Sequence, residues 1–134
     1  MISPHSFTES LRAFLAEALP DVAVHTPVNT GELVVPYLLL SCIAETERIP
    51  GNHTWECSLS VALHTSGDDQ SDTASRDLFG QICRMIGQPR TRDRLNKSGQ
   101  DFCLYSLAVR SIEEPLASEN NFIQSATFRV VIQF

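Results

Sequence analysis

The residues best suited to chemistry in this chain of 134 residues are four cysteines and four histidines. The cysteines stand 15, 26 and 20 positions apart, so no CxxC pair predicts a zinc ribbon or a thioredoxin-like redox site. No two histidines have the two- to four-residue spacing of a helical zinc site. We therefore expect no metal site and no cofactor. The residues concerned are Cys42, Cys57, Cys83, Cys103, His5, His25, His53 and His64.

Neighbouring carboxylates are a second possible source of chemistry, because an acid and a base can arise when their surroundings separate their pKa values. Each pair lies in a predicted loop or at a strand end, where water keeps both groups ionised. The chain also has no P-loop, GxGxxG or GxSxG motif. We therefore predict that it is not an enzyme. The carboxylate pairs are Asp68 with Asp69, Glu45 with Glu47, and Glu113 with Glu114.

The most distinctive local feature is a basic stretch in a chain whose net charge is −6. Residues 76–97 contain six basic and two acidic residues, whereas residues 1–75 contain two basic and ten acidic residues. Arginine outnumbers lysine nine to one, and its planar guanidinium favours forked hydrogen bonds to carboxylates. No aromatic residue lies between Arg84 and Lys97 for base stacking, and an acidic protein neutralises phosphates poorly. We expect no specific nucleic-acid partner.

We predict that this basic stretch docks on acidic groups of a neighbouring subunit, because opposite charges on one small domain favour head-to-tail contacts between copies. A solvated loop is the alternative interpretation of the same charges. The candidate partner-binding residues are Arg84, Arg90, Arg92, Arg94 and Lys97, together with Arg48 in an earlier turn.

Two helices are predicted from the spacing of apolar side chains. Residues 6–19 have an apolar stripe at intervals of three and four, and Ser6 with Glu9 has the spacing of a capping box. The second helix is expected to start at an N-cap, either Ser71 or Asp72, and to end before a glycine. These helices are expected to cover one face of a sheet.

Five strands are predicted, over residues 21–26, 36–45, 54–65, 102–113 and 122–134. The second and third form a long antiparallel hairpin, and the basic residues between the second helix and the fourth strand fall in an irregular loop, 88–100. The faces expected to be buried are formed by Trp55, Cys57, Leu59, Val61 and Leu63, by Cys103, Tyr105, Leu107 and Val109, and by Phe122, Ala126, Phe128, Val130, Ile132 and Phe134.

This order of elements predicts one α+β domain over residues 1–134, with an antiparallel sheet of four to five strands packed on two helices. No apolar run approaches the roughly 20 residues of a membrane span, and the first residues lack the pattern of a signal peptide. We therefore expect the chain to have no membrane partner and to be made in, and remain in, the cytoplasm.

The layout resembles that of phage tail terminator and tail completion proteins, the minor tail protein U-like family, over nearly the whole chain. The resemblance rests on pattern rather than on signature residues. It implies a ring, typically a hexamer, that caps the tail tube, stops its polymerisation and joins it to the head connector; it implies no catalytic residues. The segments that carry it are Val35-Pro36-Tyr37-Leu38-Leu39-Leu40, the Trp55–Thr65 strand leading into the Asp72–Ile86 helix, and Thr127-Phe128-Arg129-Val130-Val131-Ile132.

The expected function is therefore that of a structural subunit in the virion tail, made in the bacterial host cytoplasm and active in head–tail joining. Its expected partners are further copies of itself, the tail tube protein and the head–tail connector protein. An open antiparallel sheet with excess apolar strand surface agrees with this, because contacts around a ring would bury that surface. The alternative is a small-ligand-binding or regulatory α+β domain without catalysis.

Overall fold

The computed structural model describes residues 4–28, 32–67, 69–98, 101–117 and 121–134. They form an α+β fold, as the sequence predicts. The elements in chain order are α1 (His5–Ala18), β1 (Ala23–His25), β2 (Tyr37–Ile49), β3 (Thr54–Ser66), α2 (Asp69–Gly87), α3 (Pro89–Ser98), β4 (Cys103–Ile112), β5 (Leu116–Ala117) and β6 (Asn121–Gln133).

The strands form one sheet in the order β1-β2-β3-β6-β4, with β5 paired to the start of β6. The four long strands pair antiparallel, and the predicted β2–β3 hairpin is confirmed. The short strand β1 is parallel to β2 and pairs only with Tyr37–Leu39. Consequently β4 forms one edge of the sheet, while β1 and the remainder of β2 form the other.

The turn of the long hairpin has backbone conformations that explain its residues. Gly51 has φ +81°, in the left-handed region that glycine adopts without steric cost. A Glu47 carboxylate oxygen accepts a hydrogen bond from the Gly51 N–H at 2.8 Å. The turn is therefore fixed both by its backbone and by a side chain from β2.

One hydrophobic core lies between the inner face of the sheet and the three helices. The alternation predicted for β3 and β6 is confirmed over most of both strands, where the inward side chains are fully or almost fully buried and Ser60 and Arg129 are exposed on the outer face. Trp55 and Phe134, which were expected in the same buried faces, are only partly buried against the core. The buried set includes Phe7, Leu11 and Leu15 of α1, Ile82 and Ile86 of α2, Leu95 of α3, Leu38 and Leu40 of β2, Cys57, Leu59, Val61 and Leu63 of β3, and Ala126, Phe128, Val130 and Ile132 of β6.

The predicted helix caps are wrong. The N-cap of α1 is Pro4, and no side chain caps that helix, because the helix begins before Ser6 and places it inside the first turn. The Thr8 hydroxyl donates to the Pro4 carbonyl at 2.9 Å instead. Helix α2 begins at Asp69, so residues 71 and 72 also lie inside their helix.

The predicted irregular loop over residues 88–100 is wrong over most of its length, because Pro89–Ser98 form the helix α3. Proline is well suited to the first position of a helix, where its missing N–H costs nothing. Thr91 and Leu95, one turn apart, are buried, and the Thr91 hydroxyl donates to the Met85 carbonyl at 2.5 Å. The buried side of this short helix thus consists of two residues rather than a broad apolar stripe.

The buried face predicted for β4 is also wrong at most positions. Leu104 and Leu107 point into the core, whereas Cys103, Tyr105 and Val109 are exposed. The pairing of β4 with β6 shifts register twice, first just after Leu104 and again after Val109. Each irregularity displaces the alternation by one residue, which turns the following side chains to the other face.

Candidate partner-binding surfaces

The predicted basic residues are divided between three places in the structure. Arg84 lies in α2, beside the edge strand β4, and Arg90, Arg92, Arg94 and Lys97 lie on α3. The sixth predicted residue, Arg48, is an exposed residue of β2 and is not part of this group. The structure therefore brings five of the six residues onto two successive helices.

Arg92 contacts the edge strand of its own chain. Its Nη1 atom donates to the Tyr105 carbonyl at 3.3 Å, and its guanidinium lies 3.4 Å from the Asp93 carboxylate. The neighbouring Asn96 holds the same strand more completely: its Nδ2 donates to the Leu104 carbonyl at 2.8 Å, and its Oδ1 accepts from the Leu104 N–H at 2.6 Å. Helix α3 thus occupies the first part of the β4 edge, where another strand would otherwise pair.

Arg94 joins α3 to α1. Its Nη2 atom lies 3.7 Å from Glu17 Oε1, and its guanidinium carbon lies 5.5 Å from the centre of the Phe14 ring. The guanidinium is therefore placed for a cation–π contact as well as an ion pair. Because both side chains are well exposed, the ion pair contributes little to stability, and the contact mainly orients the helix.

Arg84, Arg90 and Lys97 remain available to a partner. All three are exposed, and none forms an ion pair with another residue in the part of the chain that the structure describes. Their role in binding a partner stays a prediction. The structure separates them from Arg92 and Arg94, which contact their own chain.

A second charged group, which we call the outer-face ion network, crosses all four long strands. It consists of Glu45 of β2, Glu56 of β3, Arg129 of β6 and Arg110 of β4. Arg129 binds Glu56 through two nitrogens, at 2.7 and 3.3 Å. Arg110 lies 3.2 Å from Glu56 and 3.6 Å from Glu45, and also donates to Ser58 Oγ at 3.0 Å. The network ties the strands together on the face opposite to the core.

Glu56 is the centre of this network. The hydrogen bond from Arg129 lowers the pKa of the Glu56 carboxyl, with further lowering by the positive charges of Arg129, Arg110 and Arg48. The same pairing raises the pKa of Arg129. Glu56 is therefore ionised throughout the neutral range, and its charge is balanced within its own chain.

This network was not found from the sequence because its members are far apart in the chain. Glu56 is separated from Arg110 by 54 residues and from Arg129 by 73. Strand alternation did place Glu56 and Arg129 on outward faces, which was the only available signal. Their pairing depends on the register between β3 and β6, where Ser58 stands opposite Arg129.

The outer face also carries an aromatic pair near the start of β2. The rings of Tyr37 and His64 stack with their centres 4.4 Å apart, and the Tyr37 hydroxyl lies 3.1 Å from His64 Nδ1. Partial burial lowers the pKa of His64. His64 is half-buried, and its stacking on Tyr37 is a structural contact.

An apolar groove, which we call the α2/β4 groove, lies between α2 and the end of β4. Its volume is about 540 Å³. Val109 and Ile112, on its strand side, are 52% and 66% exposed. The groove is lined by Phe79, Gly80, Cys83, Arg84, Gly87, Gln88, Val109 and Ile112.

The described residues contain no group of three histidine, cysteine or acidic side chains placed to hold a metal ion. The four cysteines are free thiols. Burial raises the pKa of Cys83 to about 11, and the hydrogen bond with Cys57 raises the pKa of Cys42. None of the helices within the described segments has the length and apolar content to cross a lipid bilayer.

Comparisons with known proteins bear on the fold alone. No protein-family model matches the chain. No curated protein matches it either. Twenty-three chains of solved structures are similar to it. One of them, whose name states no function, is 13% identical with a TM-score of 0.55, and the similarity covers 97% of this chain and 92% of that one.

Proposed function

We propose that this chain is a structural subunit of a phage tail, a tail terminator or tail completion protein that forms a ring at the end of the tail tube. The ring would join the tube to the head connector. In this proposal the protein acts through its surfaces and has no substrate. Its partners are further copies of itself, the tail tube protein and the connector protein.

The observation that supports this proposal best is that the helices cover the two faces of the sheet unequally. All three helices pack on the inner face, and no described helix covers the outer face. The outer face is formed by regular strands that an ion network joins, so its side chains are already ordered for contact with another protein. Such a surface suits an assembly subunit, whose rigid-body docking requires little reorganisation.

The distribution of exposed apolar residues supports self-association. Val28, Leu33 and Val34 lie in the segments that follow β1, whereas Val109, Ile112 and Leu116 lie at the end of β4 or beyond it. The first group follows the strand at one edge of the sheet, and the second group lies at or after the end of the strand at the other edge. A contact between two different patches is heterologous, and repeated heterologous contacts form a ring when their rotation closes.

Electron microscopy of the purified protein tests the proposal, with solution mass measured across a wide concentration range. We expect rings, either of the free protein or on purified tail tubes. A chain that stays monomeric at every concentration and forms no ring on tail tubes would refute the proposal. If such a monomer bound a small apolar molecule in the α2/β4 groove, the alternative function, a ligand-binding domain, would be favoured.

A further inference from the structure

We propose that the α2/β4 groove receives the segment 32–35 of a second copy of this chain. The inference rests on the proposed ring and names the contact that would build it. The groove is open, mainly apolar, and about 540 Å³ in volume. Its strand side consists of exposed Val109 and Ile112, whose burial by a partner would be favourable.

The segment 32–35 has the chemistry that this groove requires. It consists of Glu32 followed by Leu33, Val34 and Val35. Leu33 is 49% exposed and Val34 is 58% exposed, although both are large apolar residues. Consecutive exposed apolar side chains on a protein surface commonly mark a contact with another protein.

The charges of the two surfaces are complementary. Arg84 lines the groove, and Arg90 is close by in sequence, one residue after Pro89 at the start of α3. Glu32 is exposed and immediately precedes the apolar residues of the segment. Within the described residues, none of these three side chains forms an ion pair. An arginine that meets a carboxylate at the rim of an apolar contact adds orientation and specificity.

The positions of the two surfaces permit a head-to-tail contact. The segment 32–35 leads into β2 at Tyr37, and its last residue, Val35, lies beside Thr65 of β3 and Leu78 of α2, whereas the groove adjoins the β4 edge. The pairing registers give the offset between the two surfaces: Tyr37 is in register with His64, and through it with Ile123 of β6, whereas Ile112 is in register with Ala126, three residues further along β6. For the segment to reach the groove, a neighbouring copy must therefore be displaced along the strands by at least three residues, about 10 Å.

A disulfide between copies tests this contact directly, because Cys83 already lines the groove. We would replace Val34 with Cys in a chain that also carries Cys103→Ser, since Cys103 is exposed. Oxidation with copper phenanthroline at about pH 9 offsets the raised pKa of the Cys83 thiol, because the thiolate is the reactive form. We expect a ladder of linked multimers that disappears when Cys83→Ser is added.

Ile43→Cys in the same background is the matched control, because Ile43 is an apolar residue of β2 that is 65% exposed, yet lies outside the segment. It should give no ladder that depends on Cys83. If both variants give equal ladders, or if neither gives one, the proposed contact is wrong. Should Val34→Cys fail to fold by circular dichroism, Leu33→Cys replaces it in the same comparison.

A charge exchange provides an independent measurement. Arg84→Glu and Glu32→Arg should each raise the concentration at which half of the assembly dissociates by about tenfold, which corresponds to roughly 1.4 kcal/mol. The double variant should restore most of the loss. Two single effects that simply add in the double variant would contradict the contact.

The outcomes separate this inference from the proposed function. Rings in the microscope, combined with no disulfide-linked ladder from the Val34→Cys variant, would overturn the contact and leave the phage tail proposal standing. Monomers without rings or ladders would overturn both. Rings together with a ladder that requires Cys83 would support both.

Discussion

The two faces of the sheet are made from the same strands, yet they are stabilised in different ways. On the inner face, Leu59 and Phe128 are fully buried against the helices. On the outer face, Glu56 and Arg129 form an ion pair, and Ser60 is exposed. Burial of apolar surface stabilises a fold far more than exposed ion pairs do. The inner face therefore carries the stability, and the outer face is free to vary with function.

Adjacent residues of β3 give the sharpest test of this difference. Leu59→Ala should lower the free energy of unfolding by about 2–5 kcal/mol, because it leaves a cavity in a fully buried site. Ser60→Ala, one residue away on the outer face, should change it by less than about 0.5 kcal/mol. Urea denaturation of both variants measures the contrast, and equal effects would contradict the assignment of the two faces.

A substitution at the edge of the sheet should lower the free energy of unfolding less than one in the core, but more than one on the outer face. Asn96→Ala should lower the free energy of unfolding by about 1–3 kcal/mol, because the Leu104 N–H and carbonyl both lose their partner. Lys97→Ala is the control, since Lys97 is exposed on the next position of α3. Thermal unfolding of the two variants is the measurement. Since alanine has a higher helix propensity than asparagine or lysine, neither variant loses stability through propensity, and an equally damaging Lys97→Ala would contradict the assignment of the loss to the edge contact.

Breaking the outer-face ion network should change the free energy of unfolding least, and the size of this change should depend on pH. The pKa of Glu56 is lower in the folded chain than its ordinary value of 4.5, so its charge stabilises the fold above that pH. This contribution is lost as the pH falls through the lower folded pKa. We expect wild type and Glu56→Gln to differ by a constant amount from about pH 6 to 8 and to converge in acid. Denaturation at a series of pH values measures this, and a difference that grows in acid would show that the sign is wrong.

The parts of the fold that the sequence predicted are those with a regular period. Residues 57–65 alternate without interruption, because every second side chain enters the core. The apolar stripe of α1 is equally regular, and its boundaries agree within a residue. In both elements local pattern and tertiary burial point to the same structure, which makes such segments predictable.

The parts that were missed depend on contacts between distant residues or on small irregularities. Helix α3 buries Thr91 and Leu95, and most of its other residues are polar. The spacing of its apolar residues is therefore too weak to predict a helix. Pro89 was the available signal. The face of β4 was assigned wrongly because its register shift after Leu104 has no local signature. The basic residues were found, but which of them contact their own chain depended on where α3 lies.

The double hydrogen bond from Asn96 to Leu104 has a further consequence for behaviour at high concentration. A long exposed edge strand is a template on which other chains can stack indefinitely into cross-β fibrils. Here the Asn96 amide forms the two hydrogen bonds that a neighbouring strand would form with Leu104. The two register shifts bend the rest of β4 away from the straight strand that such pairing requires. The molecule is thereby protected against amyloid growth along that edge, while discrete docking through side chains is still permitted.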